Sequence, residues 1–446
     1  MTEDLYETLD TTCQDGYQST LEPACRVLTG MAGTGKTTLI KRRVEENPDD
    51  LLLTATTGIA AVNLNCTTVN SVLGYFDEDS LRDCWLRGQL NSRLRDLVRL
   101  GTRNLLIEEM SMLTGTALDI IYRAASETGS ASKTATPLGL VLVGDFCQLP
   151  PVRGSWAFEA DCWPKFAANV ERLSRVWRQD QPGFLEALTY ARNGAGDDCA
   201  RVLTECGAKY HTALATQFDG TTIVPKNDMV DRYNAEALMR VRSPLITVAS
   251  ARWGKLRGEW KNIPDRMDLK LGAYVMILAN APDFSYVNGD CGYVRQHADG
   301  ALVIELVRTR QCVTISRIVR NVEYHDRPEG FEDCGSYDAT EYHPISAGTW
   351  RGEYYSRSGK VSRRRWVTGQ VHYFPVRLAY ATTVHKSQGL SLDRIQIDYR
   401  HQFFKSPAML YVALSRCRTV EGLRLVGMRE LLAKHCTVDE KVRAWL

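Results

Sequence analysis

Nine residues, GMAGTGKTT from Gly30 to Thr38, constrain this chain more than any other stretch. The pattern G-x-x-x-x-G-K-T works only between a buried strand and a helix. Both flanks are legible: Arg26–Thr29 is a strand candidate and Lys36–Glu46 is a helix candidate. Glycines let successive backbone N–H groups turn inward around phosphate oxygens, where side chains would clash. Gly30, Ala32, Gly33, Thr34, Gly35 and Thr38 shape that cradle. Lys36 offers a cation to the β- and γ-phosphates of a nucleotide, and Thr37 a hydroxyl to Mg2+. The helix that starts there adds the positive end of its dipole. A chance glycine-rich turn would lack both the Lys-Thr ending and the strand–helix context.

Such a loop demands a parallel sheet, and the flanking sequence supplies one. Apolar strands alternate with longer helical stretches: Leu51–Ala55, Asn104–Glu109 and Leu140–Gly144 against Thr116–Ser126. This alternation is the sign of an α/β fold with crossover helices. Ser80–Leu100 is an amphipathic, charged interruption. A second alternating region begins near Glu171, with helices at Phe184–Arg192 and Asp228–Arg240 and strands at Thr222–Pro225 and Ala273–Ala279. From about Asp290 the pattern turns β-rich, and Asp333–Arg365 is rich in Gly, Ser, Tyr and Arg, as in a small-barrel insertion. Alternation resumes at Pro375, with a strand at Arg394–Asp398 and a helix at Met409–Cys417. A length of 446 residues suits about three domains, or two with insertions.

Charge and cysteine exclude several classes. Net charge is +2, so bulk charge holds no polyanion and any basic surface must be local. The basic residues are 14 Lys and 41 Arg; Arg grips phosphate with two prongs, although codon bias gives the same excess. The 13 Cys are scattered with no C-x-x-C pair, which indicates neither a zinc site nor a disulfide framework. Cys66 and Cys147 read as small buried hydrophobes. A reducing, intracellular compartment is expected, cytoplasmic in a phage or bacterial setting. No signal peptide and no apolar run of membrane-spanning length are visible.

The phosphate loop needs an acidic strand end to complete a metal site, and LLIEEMSML (Leu105 to Leu113) provides Glu108 and Glu109. Two carboxylates where a sheet emerges can hold the metal and polarise a water. In VLVGDFCQLPPV (Val141 to Val152), Gln148 can hydrogen-bond both a γ-phosphate and a water. Pro150 and Pro151 end the strand and stiffen the following loop.

These residues form an ordered series that resembles superfamily 1 helicases of the B branch, the Pif/RecD group with the phage Dda type. GMAGTGKTT is followed by TATTGIAAVNL at Thr54, TTVNS at Thr67, IEEMSML at Ile107, GDFCQLPPV at Gly144 and LSRVWRQ at Leu173. Then come VNGDCG at Val287, YATTVHKSQGLSLD at Tyr380 and YVALSRCRTVEGL at Tyr411. The resemblance implies two RecA-like P-loop NTPase domains with ATP between them. The first would span 1–172 with a wedge at about 75–103. The second would take 173–291 and 374–446, with a Src-homology-3-like β-barrel insertion at 292–373.

It also implies roles. Lys36, Glu109 (general base), Gln148, Arg178 and Arg416 would carry the chemistry, Glu108 would sit beside Mg2+, and Gly389 would border the nucleotide. Gln14, or else Gln18, would read adenine. Single-stranded DNA would cross Thr56, Thr57, Gly58, Thr68, Asn70, Ser71, Pro150, His385 and Lys386. Arg363 and Arg365, in a basic stretch interleaved with Trp350, Tyr354, Tyr355 and Trp366, would extend that track; a solvated hairpin fits the same residues. Two departures stand out: Glu108 where the family has Asp, and Asn70 where it commonly has His. The implied activity is ATP-dependent 5′-to-3′ movement on single-stranded DNA with unwinding of forked or tailed duplexes. The protein would be a monomer, free of membranes, that meets replication or recombination proteins. The rival readings are an ATP-switched DNA-binding protein slowed by Glu108, a P-loop kinase or other small-molecule NTPase, and an RNA rather than DNA track.

Overall fold

The computed structural model describes residues 22–46, 50–64, 66–129, 136–215, 217–254, 263–279, 281, 283, 285–298, 300–324, 348–356 and 359–445. The first sheet has six strands: β1 (Cys25–Gly30), β2 (Leu51–Ala55), β3 (Thr67–Thr68), β4 (Asn104–Glu108), β5 (Gly139–Gly144) and β6 (Val170–Leu173). Their order is β3-β2-β4-β5-β1-β6, and every pair is parallel. Leu105, Ile107, Leu140 and Leu142 are fully buried in it, as expected where helices cover both faces. Parallel register places Thr29 opposite Gly144 and Glu108 opposite Val143. The phosphate loop, the acidic pair and the Gln148 turn therefore leave the same edge, the carboxyl edge where α/β sheets bind ligands.

The chain then forms β7 (Lys209–His211) and β8 (Thr221–Val224). A long β-rich excursion follows: β9 (Leu245–Ala249), β10 (Ala251–Gly254), β11 (Arg266–Lys270), β12 (Tyr274–Ile277), β13 (Cys291–Ala298), β14 (Ala301–Leu306), β15 (Cys312–Ser316), β16 (Ile318–Tyr324), β17 (Gly348–Ser356), β18 (Gly359–Tyr373) and β19 (Val376–Leu378). It returns through β20 (Ala381–Thr383), β21 (Ile395–Asp398) and β22 (Leu423–Val426). The second parallel sheet has the order β20-β8-β21-β22-β7. Two parallel sheets with crossover helices match the α/β expectation.

The excursion is wider than the small-barrel insertion expected at 292–373. Antiparallel pairing already begins at Leu245 and ends at Leu378. Five strands run as β15-β14-β13-β12-β19, and among the described residues no pairing joins the two outer strands. The stretch Ala273–Ala279 thus belongs to this antiparallel sheet as β12, because its neighbours are β13 and β19. A buried run reads the same in either kind of sheet. Ser80–Leu100 is two helices, Glu78–Leu86 and Gln89–Arg99, divided by Gly88 at φ 72°. The helix expected at Met409–Cys417 stops at Leu414.

One hydrophobic core runs through both parallel sheets, from Leu105 and Phe146 to Tyr411 and Leu425. The excursion keeps a core of its own around Val275, Ile304 and Ile315. Helix Glu440–Trp445 crosses back to the first half. The Trp445 ring meets Phe146 edge-on at 4.9 Å, and Arg172 stacks over it at 4.5 Å. Among the described residues no helix is long and apolar enough to cross a membrane.

Candidate nucleotide cleft

The loop between β1 and helix Lys36–Glu46 turns at Gly33 and Gly35, both at φ 85°. That left-handed backbone favours glycine. At Gly33 a Cβ would also lie 2.7 Å from the Cβ of Arg178, so the loop touches the second half of the chain directly. The Lys36 ammonium donates to the carbonyls of Gly30 (2.7 Å) and Met31 (2.9 Å). Burial pulls it below the usual lysine range, against the attraction of Asp145, Glu109 and Glu108. The Thr37 hydroxyl donates to Glu108 Oε1 at 2.8 Å.

Glu108 ends β4, but Glu109 is not part of the strand. It adopts φ 60° and ψ 48°, a left-handed conformation that is uncommon for a residue with a side chain. The expected strand Asn104–Glu109 therefore stops one residue early. This kink aims the Glu109 carboxylate across the cleft, where Gln388 Nε2 donates to Oε2 at 2.8 Å. The same amide nitrogen lies 3.3 Å from Gln148 Oε1. Burial raises the pKa of both glutamates, and for Glu108 the neighbouring Glu109 charge adds to the effect.

Two arginines face this acid. Arg416 is fully buried and has no carboxylate partner among the described residues: Nε donates to the Val412 carbonyl (2.8 Å) and Nη2 to Ser415 Oγ (2.7 Å). Burial lowers its guanidinium to about 10, with Glu109 opposing. Arg178 donates to the carbonyls of Ser415 (3.2 Å) and Gly389 (3.5 Å). Burial and the Arg416 charge lower it to about 9.

Ala32, Gly33, Gly35, Lys36, Thr37, Thr38, Glu108, Glu109, Gln148, Arg178, Gly389 and Arg416 thus line one cleft of about 470 Å³. Gly30 and Thr34 support the loop from behind: the Thr34 hydroxyl donates to the Met31 carbonyl at 2.9 Å. Gln14 and Gln18 lie outside the described residues.

The positions expected along a nucleic-acid track are spread over a neighbouring surface. Thr56 N–H donates to the Glu108 carbonyl (3.0 Å) and its hydroxyl to the Glu109 carbonyl (2.9 Å). Thr57 caps the helix that begins at Gly58, and Thr68 caps Val69–Leu73 through the Ser71 N–H. The Asn70 carbonyl receives Gly74 N–H at 2.7 Å. Pro150 is half-buried, His385 is exposed and Lys386 is half-buried. Arg363 and Arg365 fall on β18 opposite Gly352 and Trp350 of β17; their side chains lie outside the described residues.

Gln388 is not legible from HKSQG alone, because its partners Glu109 and Gln148 come from the other half of the chain. The same holds for Tyr411, Asp145 and Arg192, which meet behind the loop. Their separation along the chain hides them.

The fold and cleft define a P-loop NTPase built from two RecA-like domains. A family model described as "AAA domain" matches residues 16–208. ATP-dependent DNA helicase Pif1 of Bdellovibrio bacteriovorus is 29% identical over 429 residues, covering 93% of this chain and 86% of the relative. Human ATP-dependent DNA helicase PIF1 is 28% identical, covering 89% of this chain but 57% of the relative; for Trypanosoma brucei PIF7 that second share is 43%. The chain thus spans about half the length of these eukaryotic relatives. Among solved structures, Bacteroides Pif1 in complex with ADP-AlF4 superposes with TM-score 0.69 at 23% identity, over 95% of this chain and 93% of that one. Along nearly its whole length the chain is thus similar to Pif1 helicases in sequence and in fold.

Proposed function

We propose that this chain is an ATP-dependent DNA helicase that moves 5′-to-3′ on single-stranded DNA. The observation that carries the reading is the Gln388 amide, which joins Glu109 and Gln148 of one domain to a helix of the other. Hydrolysis and domain position then share a contact. Lys36 and the loop N–H groups hold the β- and γ-phosphates. Thr37 and Glu108 fit a magnesium ion: a hydroxyl and a buried carboxylate already in contact, with phosphate oxygens to complete the shell. Magnesium would neutralise charge that develops between the β- and γ-phosphates. Glu109 accepts the proton of the attacking water while Gln148 orients that water. Arg178 and Arg416 stabilise the transferring phosphoryl group, where two desolvated guanidinium groups act strongly.

DNA reaches this machinery through Thr56, whose backbone and hydroxyl grip the two glutamate carbonyls. Its neighbours Thr57, Gly58, Thr68, Asn70 and Ser71 offer hydroxyl, amide and N–H groups that suit sequence-blind phosphate contact. His385 and Lys386 provide the second domain's grip, and opening and closing of the cleft alternates the two. A Bacteroides Pif1 structure bound to ssDNA shares this fold with TM-score 0.55, which supports single-stranded DNA as the partner. Helices Glu78–Leu86 and Gln89–Arg99 would form the wedge that splits a duplex, with Phe76 89% exposed at their start. The first domain would run over 1–172, and the second would draw its parallel strands from 173–291 and 374–446.

The test is steady-state ATP hydrolysis with magnesium, with and without single-stranded DNA, then unwinding of duplexes with 5′ or 3′ tails. DNA-stimulated turnover and unwinding from a 5′ tail are expected, both abolished in Lys36→Ala. Turnover indifferent to DNA would overturn the reading in favour of a small-molecule NTPase.

A further inference from the structure

The Tyr411 phenol lies behind the nucleotide cleft, 2% exposed, and touches two segments of the opposite domain. Its oxygen accepts the Ala32 N–H of the phosphate loop at 3.0 Å. Its O–H points to Asp145 Oδ2 at 3.4 Å. Asp145 is completely buried and binds Arg192 by two prongs, at 2.9 and 3.3 Å. Asp145 Oδ1 also receives the Cys147 N–H (3.1 Å), and its carbonyl the Gln148 N–H (2.9 Å). Each partner opens onto a different part of the cleft. Ala32 belongs to the phosphate loop, and Asp145 begins the turn that presents Gln148. Arg192 lies on helix Pro182–Asn193, which follows Arg178 in the chain. Tyr411 itself lies on helix Met409–Leu414, which ends just before Arg416.

Three segments that must agree in position therefore meet at one hydroxyl, and a fourth joins them where Arg192 binds Asp145. Buried polar groups need partners, and a fully satisfied network specifies one arrangement. Burial and the Asp145 charge raise the Tyr411 pKa, so the phenol keeps its proton and can donate as well as accept. We propose that Tyr411 is a positioning residue: its hydroxyl fixes the distance from the phosphate loop to Arg416 and Gln148, and so sets the chemical step. Tyr411 does not line the cleft. Its removal should misplace transition-state donors and leave ground-state nucleotide binding intact. This rests on the ATP-hydrolysis reading.

The experiment is Tyr411→Phe in the whole chain, which keeps the ring and deletes only the hydroxyl. The expected result is a kcat for ATP lower by about tenfold, with KM within about twofold. ADP affinity should be unchanged while ADP with aluminium fluoride binds more weakly by the same factor as kcat. Asp145→Asn should also lower kcat, and the double variant should lose less than the product of the two single effects. A Tyr411→Phe kcat within about twofold of the parent would overturn the proposal. So would equal weakening of ADP and the fluoride complex, the result of general loosening. A parent protein without ATP turnover would instead defeat the hydrolysis reading itself.

Discussion

At the scale of single residues, the informative position is Glu108. Its extra methylene, relative to the aspartate usual in the helicases this chain resembles, lets it reach the Thr37 hydroxyl at 2.8 Å from where β4 ends. An aspartate on the same backbone would fall short by about one bond. Misplacement on that scale costs rate. Glu108→Asp should therefore lower kcat several-fold, measured with saturating magnesium and DNA; a rise would show that the longer side chain is a handicap. The paired carboxylates also set a pH dependence. Their folded pKa values are raised, so the native state binds protons more tightly than the unfolded chain does. Without nucleotide and metal, the pair's own contribution to stability is then greatest at low pH and falls as pH climbs through the raised values. The thermal midpoint difference between Glu108→Gln and the parent should accordingly widen, in favour of the variant, between about pH 5 and about pH 8. An unchanging difference would mean that the pair is not under this strain.

At the scale of elements, sequence legibility followed distance along the chain. The strand, loop and helix around Lys36 could be read because every determinant lies within a few residues. The cap of helix Gly115–Ser126 is equally local: Thr114 Oγ1 accepts the Ala117 N–H at 3.2 Å. Thr114→Ala should cost about 1 kcal/mol of stability, read from denaturant unfolding. Gln388 was not legible in the same way, since its partner Glu109 is 279 positions away. Tyr411 looked like one more apolar position in a buried helix, and only the fold shows its oxygen meeting Ala32. The left-handed turn at Glu109 gave no sign either, because left-handed turns are usually marked by Gly or Asn. Composition marks the β-rich excursion but not its start at Leu245. Val275 and Ile277 of β12 are as buried as any strand of the parallel sheets.

At the scale of the whole molecule, the two largest hydrophobic clusters predict how the protein comes apart. The core shared by both parallel sheets should melt as one unit, and the separate core of the β-rich excursion as another. Calorimetry should resolve two transitions, and Trp445→Ala should lower only the one shared by the parallel sheets. A single transition would mean that the excursion is thermodynamically welded to the rest.

The shared core has a mechanical consequence. Where Trp445 lies edge-on to Phe146, the two domains are joined by packed aromatic rings. In the proposed cycle, nucleotide would swing them about this seam rather than slide them apart. Travel is smallest at the seam and grows with distance from it, as along a lever. Groups far from the seam gain reach and give up force. Groups beside it, the Tyr411 oxygen among them, move little and bear the load.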